Sequence, residues 1–132
     1  SFSYRGCNLD DNLIFISATF QGKIDKKSSI QKKINNLTER KKKDQPSKIK
    51  TCGSTFKNHY NFKAWKLIKD SGCAGMKIGD AYISEKHCNF FVNKGEARSE
   101  DLEKLIQQVK KKVFDKTGID LELELQIIGE KS

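Results

Sequence analysis

A chain of 132 residues with 36% hydrophobic and 33% charged residues fits one ordinary domain with a real core and leaves no room for two. No apolar run approaches the ~20 residues of a membrane span and no secretory signal pattern opens the chain, so nothing in the sequence reads as membrane-bound. The start at Ser1-Phe2-Ser3, without an initiator Met, reads as part of a longer protein, and the net charge of +9 raises nucleic acid as a partner.

In chain order, Leu13-Ile14-Phe15-Ile16-Ser17-Ala18-Thr19-Phe20 is β-branched and aromatic between Asp10-Asp11-Asn12 and Gln21-Gly22, which predicts a buried strand. Ser28 or Ser29 then caps a helix carrying Ile30, Ile34 and Leu37 at helical spacing, and Pro46 forbids its continuation. Residues 45–60 are expected as a loop built around Cys52-Gly53-Ser54. A second helix over about 61–71 turns Ala64, Leu67 and Ile68 inward and stops at Gly72, a left-handed cap. Short strands near Ala81-Tyr82-Ile83 and Asn89-Phe90-Phe91-Val92 are followed by a turn at Asn93-Lys94-Gly95. Ser99 caps a third helix with Leu102, Leu105, Ile106, Val109 and Val113 on one stripe and Gly118 at its end, the plainest amphipathic pattern in the chain. A last strand alternates Leu121, Leu123, Leu125 and Ile127 against Glu122, Glu124 and Gln126. The order β-α-loop-α-β-β-α-β is an α+β fold, with helices packed on a small sheet.

The charge pattern argues against nucleic acid. Arg5, Arg40 and Arg98 are the chain's guanidinium donors, the other basic residues being Lys, whereas Arg is the preferred bidentate reader of phosphates and bases. The densest run, Arg40-Lys41-Lys42-Lys43, closes a helix where cations suit the dipole, and no aromatic residues alternate with it as a stacking platform requires. Cys7, Cys52, Cys73 and Cys88 lack metal-ligand or redox spacing, and His59 and His87 complete no ligand cluster; the thiols are expected to be free and buried in a reducing cytoplasm, with no metal.

Three places stand out for chemistry. Gly53-Ser54 lies between two helical segments, where Gly lets the backbone approach a ligand closely, with Phe56-Lys57-Asn58 just downstream. Glu124 stands mid-strand on a polar face, and Tyr4-Arg5 lies near the start. Singly, each has an ordinary explanation as a turn, a solvated carboxylate or surface.

Together they carry more. Ser3-Tyr4-Arg5, Gln45-Pro46, Gly53-Ser54-Thr55-Phe56-Lys57-Asn58, Ala64-Trp65-Lys66-Leu67-Ile68, Gly75-Met76-Lys77-Ile78-Gly79, Ser84-Glu85-Lys86-His87 and Glu122-Leu123-Glu124-Leu125-Gln126-Ile127-Ile128-Gly129 resemble, in this order, the signatures of the UDP-N-acetylenolpyruvoylglucosamine reductases, the flavin-dependent enolpyruvoyl reductases of bacterial cell-wall synthesis. The resemblance covers residues 3 to 129. It implies residues 1–12 as the tail end of an upstream flavin-binding domain and 13–132 as the C-terminal substrate-binding domain, monomeric and cytoplasmic, with no nucleic-acid or membrane partner. It implies FAD, bound mainly upstream, NADPH as hydride source, and UDP-N-acetylglucosamine enolpyruvate as substrate. By the same resemblance Arg5 and Glu124 hold the substrate carboxylate, Glu124 as a protonated donor, and Ser54 gives a proton to carbon. Tyr4, Lys57, Asn58 and His87 are substrate contacts; Lys42 or Lys43 is a further candidate, for phosphate or the uridine end.

Some positions depart from the pattern. His59 stands where Pro usually follows Lys-Asn, Ala74 where a Lys is common, Asp80 where a small residue is usual, and Cys7 and Cys52 where small residues are typical. The link from Gln21 to Ser28 is too short for the inserted tyrosine loop of the family's longer form, so the chain resembles the shorter form.

Overall fold

The computed structural model describes residues 2–10, 12–58 and 60–129, so His59 lies outside the described residues, and it divides into two units, Ser1–Lys33 and Ile34–Ser132. In the first, β1 (Phe2–Ser3) and β2 (Gly6–Cys7) form a tight antiparallel hairpin pairing Phe2 with Cys7 and Ser3 with Gly6. Arg5 in its turn has φ 60°, and its guanidinium carbon lies 5.3 Å from the Tyr4 ring centre.

The strand expected over Leu13–Phe20 does not form. These residues are irregular and exposed, Ile16 at 95%. Their β-propensity expresses packing on a neighbouring strand, and no described residue ladders with them.

Helix α1 (Lys27–Asp44) runs through the boundary of the two units. The Ile30 N–H donates to the Lys26 carbonyl at 3.0 Å, so the helix begins before the expected serine caps and places Ser28 and Ser29 in its first turn. It ends two residues ahead of Pro46, as the ring requires. Ile30, Ile34 and Leu37 share a stripe yet remain exposed.

The second unit holds β3 (Lys50–Ser54), α2 (Ala64–Asp70), β4 (Lys77–Ile78), β5 (Ala81–Ile83), β6 (Phe90–Asn93) and α3 (Ser99–Thr117). Its antiparallel sheet runs β3-β6-β5-β4. Helix α3 packs on β4 and β5, and α2 packs on α3, which makes the unit an α+β layer around one core. Phe56, Ile68, Ile83, Phe91, Leu105 and Val109 are essentially inaccessible there, and the Phe56 and Phe91 rings meet edge to face at 5.9 Å, a favourable aromatic geometry.

Both packed helices follow their apolar patterns. Ala64, Leu67 and Ile68 are buried on α2, and Leu105, Ile106, Val109 and Val113 on α3. Their starts differ from expectation. Helix α2 opens at Ala64 rather than near 61, because the Asn58 side-chain oxygen accepts the Ala64 N–H at 3.1 Å. Helix α3 takes Arg98, not Ser99, as its cap; the Arg98 N–H donates to the Asp101 carboxylate at 2.9 Å. Gly118, at φ 71°, closes α3 with its N–H on the Phe114 carbonyl.

Three further corrections concern the sheet. The expected loop 45–60 contains β3, which Gly53 and its polar neighbours hid from a propensity reading. Lys77–Ile78 forms the two-residue β4, turned onto β5 at Gly79-Asp80. The last strand is reduced to a single bridge, Phe56 to Leu123. Leu121, Leu123 and Leu125 do pack inward, but the antiparallel register at Phe56–Leu123 sets residues 125–128 against 54–51, where β3 is bulged between Thr51 and Ser54, and the ladder goes no further.

Candidate functional site

Ser54 ends β3 opposite Phe90, after a bulge between Thr51 and Ser54. Gly53 supplies the bulge's left-handed residue at φ 86°, a conformation that L side chains adopt only with strain. The local twist of a bulge re-aims the residue that follows it, and here that residue is the serine.

The next residues are clamped on both edges. On one side Asn89, buried at the start of β6, does the holding: its carbonyl accepts the Thr55 N–H at 2.8 Å, its side-chain oxygen accepts the Phe56 N–H at 2.9 Å, and its amide nitrogen donates to the Phe56 carbonyl at 2.8 Å. On the other side the Lys57 N–H donates to the Glu122 carbonyl at 2.8 Å and the Glu124 N–H to the Thr55 carbonyl at 2.9 Å. The fold thereby sets Glu124, from the C-terminal segment, one residue along the bridge from Ser54. Glu124 is half-buried.

Lys57 forms an ion pair with Glu122 through its ammonium and a Glu122 carboxylate oxygen. Asn58 spends its side-chain oxygen on the first turn of α2. His87 lies between Trp65 and Phe90, with ring centres at 6.2 Å and 4.9 Å; its Nδ1 is buried without a hydrogen-bond partner among the described residues. Burial, outweighing the field of Asp44, holds the imidazole below its ordinary pKa, as desolvation of a cation must. Because Phe90 stands opposite Ser54, His87 belongs to the same end of the sheet. Ser54, Lys57, Asn58, His87 and Glu124 are thus gathered in one unit, whereas Tyr4 and Arg5 belong to the other.

An open cleft of about 650 Å³ is lined by residues including Pro46, Lys77, Tyr82, Glu85, Lys86 and Lys94. Beside it the Lys86 ammonium contacts the Lys42 carbonyl, satisfying a carbonyl that the end of α1 leaves open. Cys73 and Cys88 are buried as expected, but Cys7 is half-buried and Cys52 exposed; β3 is an edge strand, and Cys52 sits on it. Burial pushes the thiols of Cys73 and Cys88 above their ordinary range.

Asn89 and Glu122 stand within the sequence motifs, but their roles here do not follow from the sequence. A polar amide opening the run Asn89-Phe90-Phe91-Val92 disagrees with strand propensity, and that disagreement was the available signal. Nothing local distinguished Glu122 from an ordinary solvated carboxylate.

A family model described as UDP-N-acetylenolpyruvoylglucosamine reductase, C-terminal domain, matches residues 45–128. The chain belongs to this family. Among curated proteins, the UDP-N-acetylenolpyruvoylglucosamine reductase of Pelagibacter ubique is 51% identical over 130 residues, covering 96% of this chain and 43% of that protein. The same-named protein of Orientia tsutsugamushi (strain Ikeda) is 44% identical over 132 residues, covering all of this chain and 44% of its relative. The chain therefore spans less than half the length of these relatives. Among solved structures, the UDP-N-acetylenolpyruvylglucosamine reductase of Thermus caldophilus aligns with a TM-score of 0.68 at 35% identity, covering 79% of this chain and 36% of that one. The second unit contains the whole segment matched to the reductase C-terminal domain, and with it both Ser54 and Glu124.

Proposed function

We propose that this chain is the substrate-binding, proton-donating part of an FAD-dependent, NADPH-using reductase that converts UDP-N-acetylglucosamine enolpyruvate to UDP-N-acetylmuramate in peptidoglycan synthesis. In this reading residues 1–12 end an upstream flavin-binding domain, residues 13–132 form the C-terminal domain, and the enzyme works in the cytoplasm as a monomer without nucleic-acid or membrane partners. The observation that carries it is the backbone bond from the Glu124 N–H to the Thr55 carbonyl at 2.9 Å, which seats a carboxyl-bearing segment beside Ser54.

The glycine pair Gly75 and Gly79 does not make a dinucleotide fingerprint. Gly75-Met76-Lys77-Ile78-Gly79 runs into the β4–β5 hairpin instead of joining a strand to a helix N-terminus, the context that a phosphate-binding fingerprint needs. FAD is accordingly allotted mainly to the upstream part of the complete enzyme, while NADPH, the hydride source, uses the same cleft ahead of the substrate.

What this chain contributes is a proton and a field. Once hydride has been added to the methylene carbon of the enolpyruvyl ether, negative charge develops on the neighbouring carbon and spreads into the carboxylate. By the resemblance, Glu124 and Arg5 hold that carboxylate. Ser54 passes its hydroxyl proton to the carbon, and the alkoxide left behind is offset by cations and dipoles, with Lys57 the nearest cation in sequence. Lys57, Asn58, His87 and Tyr4 contact the substrate, and the sugar nucleotide's diphosphate suits a cleft rimmed by lysines.

The test is Ser54→Ala in the complete enzyme. Reduction of the flavin by NADPH should remain near normal, because no proton to carbon is needed there. Reoxidation by substrate should slow by about 10²–10⁴-fold, the contribution of a positioned general acid. Glu124→Gln should impair the same half-reaction. Stopped-flow flavin absorbance separates the halves, and equal slowing of both by Ser54→Ala would make Ser54 a structural residue.

A further inference from the structure

The Lys57–Glu122 contact has no place in the reading above. The single bridge pairs Phe56 with Leu123, which puts Lys57 directly opposite Glu122 and Thr55 opposite Glu124. Side chains directly opposite one another leave a ribbon on the same face, and faces alternate along it. Phe56 and Leu123 turn to the core, so Lys57 and Glu122 share the other face with Glu124. Lys57 is tied to Glu122 twice, through its N–H on the Glu122 carbonyl at 2.8 Å and through the side-chain ion pair. The Lys57 side chain is 34% exposed and that of Glu122 71%, so solvent and a ligand can reach the pair.

We propose that Glu122 is a positioning residue, whose carboxylate holds the Lys57 ammonium in place so that the cation meets the substrate's anionic oxygens already ordered. Lysine is a flexible four-carbon stem ending in a point charge and loses much rotamer freedom when fixed. A partner that fixes it beforehand lowers the ordering cost that binding would otherwise carry. The ammonium has three N–H donors, so one bond to Glu122 leaves others for a ligand. The inference deepens the proposed function and rests on its assignment of Lys57 to the substrate.

The experiment uses the complete, flavin-loaded reductase and four forms: native, Glu122→Gln, Lys57→Met and the double variant. Flavin reoxidation by UDP-N-acetylglucosamine enolpyruvate is followed after reduction by NADPH. Glu122→Gln should lower kcat/KM for the substrate by about 2–5-fold, the range of an exposed ion pair. Flavin reduction and the thermal midpoint should stay unchanged. On the Lys57→Met background the same substitution should have no further effect, since the partner it positions is gone, and Glu122→Asp should recover part of the loss. An equal effect of Glu122→Gln on both backgrounds, or none on either while Lys57→Met is impaired, overturns the role of Glu122 alone. A Lys57→Met enzyme with normal substrate kinetics overturns the assignment of Lys57 itself, and this proposal with it.

Discussion

Replacing Asn89 with Ala should unhinge the segment that carries the site. The Asn89 side chain holds the Phe56 N–H at 2.9 Å and the Phe56 carbonyl at 2.8 Å, and Phe56 is fully buried, so water cannot replace the lost partner. Each buried polar group left unsatisfied costs about 1–3 kcal/mol, which gives about 2–6 kcal/mol for the two. That is a large share of a domain's total stability of about 5–15 kcal/mol. Urea unfolding of the 132-residue chain followed by circular dichroism should show a lower midpoint with an unchanged slope, the signature of lost stability at constant exposed surface. Asn89→Leu supplies the control: it restores side-chain volume but neither hydrogen bond, and should be destabilised nearly as much as Asn89→Ala. A loss under about 0.5 kcal/mol for Asn89→Ala, the range of a surface change, would refute the clamp. Recovery of stability in Asn89→Leu would show that packing, not hydrogen bonding, is what Asn89 provides.

Three further outcomes are expected. Because burial depresses the His87 pKa, the unfolded chain takes up a proton that native His87 refuses. His87 therefore costs the native state stability as pH falls below the unfolded value of about 6.5; the urea midpoint of His87→Phe should fall less than that of the native chain between about pH 7.5 and 5.5. Cys52, exposed on β3, should react first with a thiol reagent, while Cys73 and Cys88, buried and with raised pKa values, should stay unmodified until urea unfolds the chain. Binding to DNA or RNA should be weak, without sequence preference, and lost by about 200 mM salt; selective binding that survives there would favour a nucleic-acid module.

The sequence was most legible where one face repeats. The stripe on α3 and the Ala64, Leu67, Ile68 triplet on α2 were read correctly because burial follows helical period. The alternation at Leu121, Leu123 and Leu125 was likewise real as burial, yet it said nothing of whether the neighbouring backbone, bulged at Gly53, is regular enough to form a ladder. Leu13–Phe20 shows the converse, strand composition without a strand. β3 was hidden for the opposite reason: Lys50-Thr51-Cys52-Gly53-Ser54 has poor intrinsic propensity and is made a strand by β6. Within the site, Ser54, Lys57 and Glu124 were visible through motif resemblance, whereas the Asn89 clamp and the opposition of Lys57 to Glu122 depend on contacts 33 and 65 residues apart in sequence.

Those separations also bear on how the protein is made. Most of the core is supplied by residues up to Val113, but Leu121 completes it and the bridge to Phe56 and Lys57 waits for Glu122 to Glu124. On a ribosome adding about 5–20 residues per second, most of the hydrophobic layer can assemble before the segment bearing Glu124 has emerged. The last step of burial and the seating of Glu124 thus arrive together, and a chain cut short just after α3 would keep most of its core but lose both Leu121 and the segment that bears Glu124.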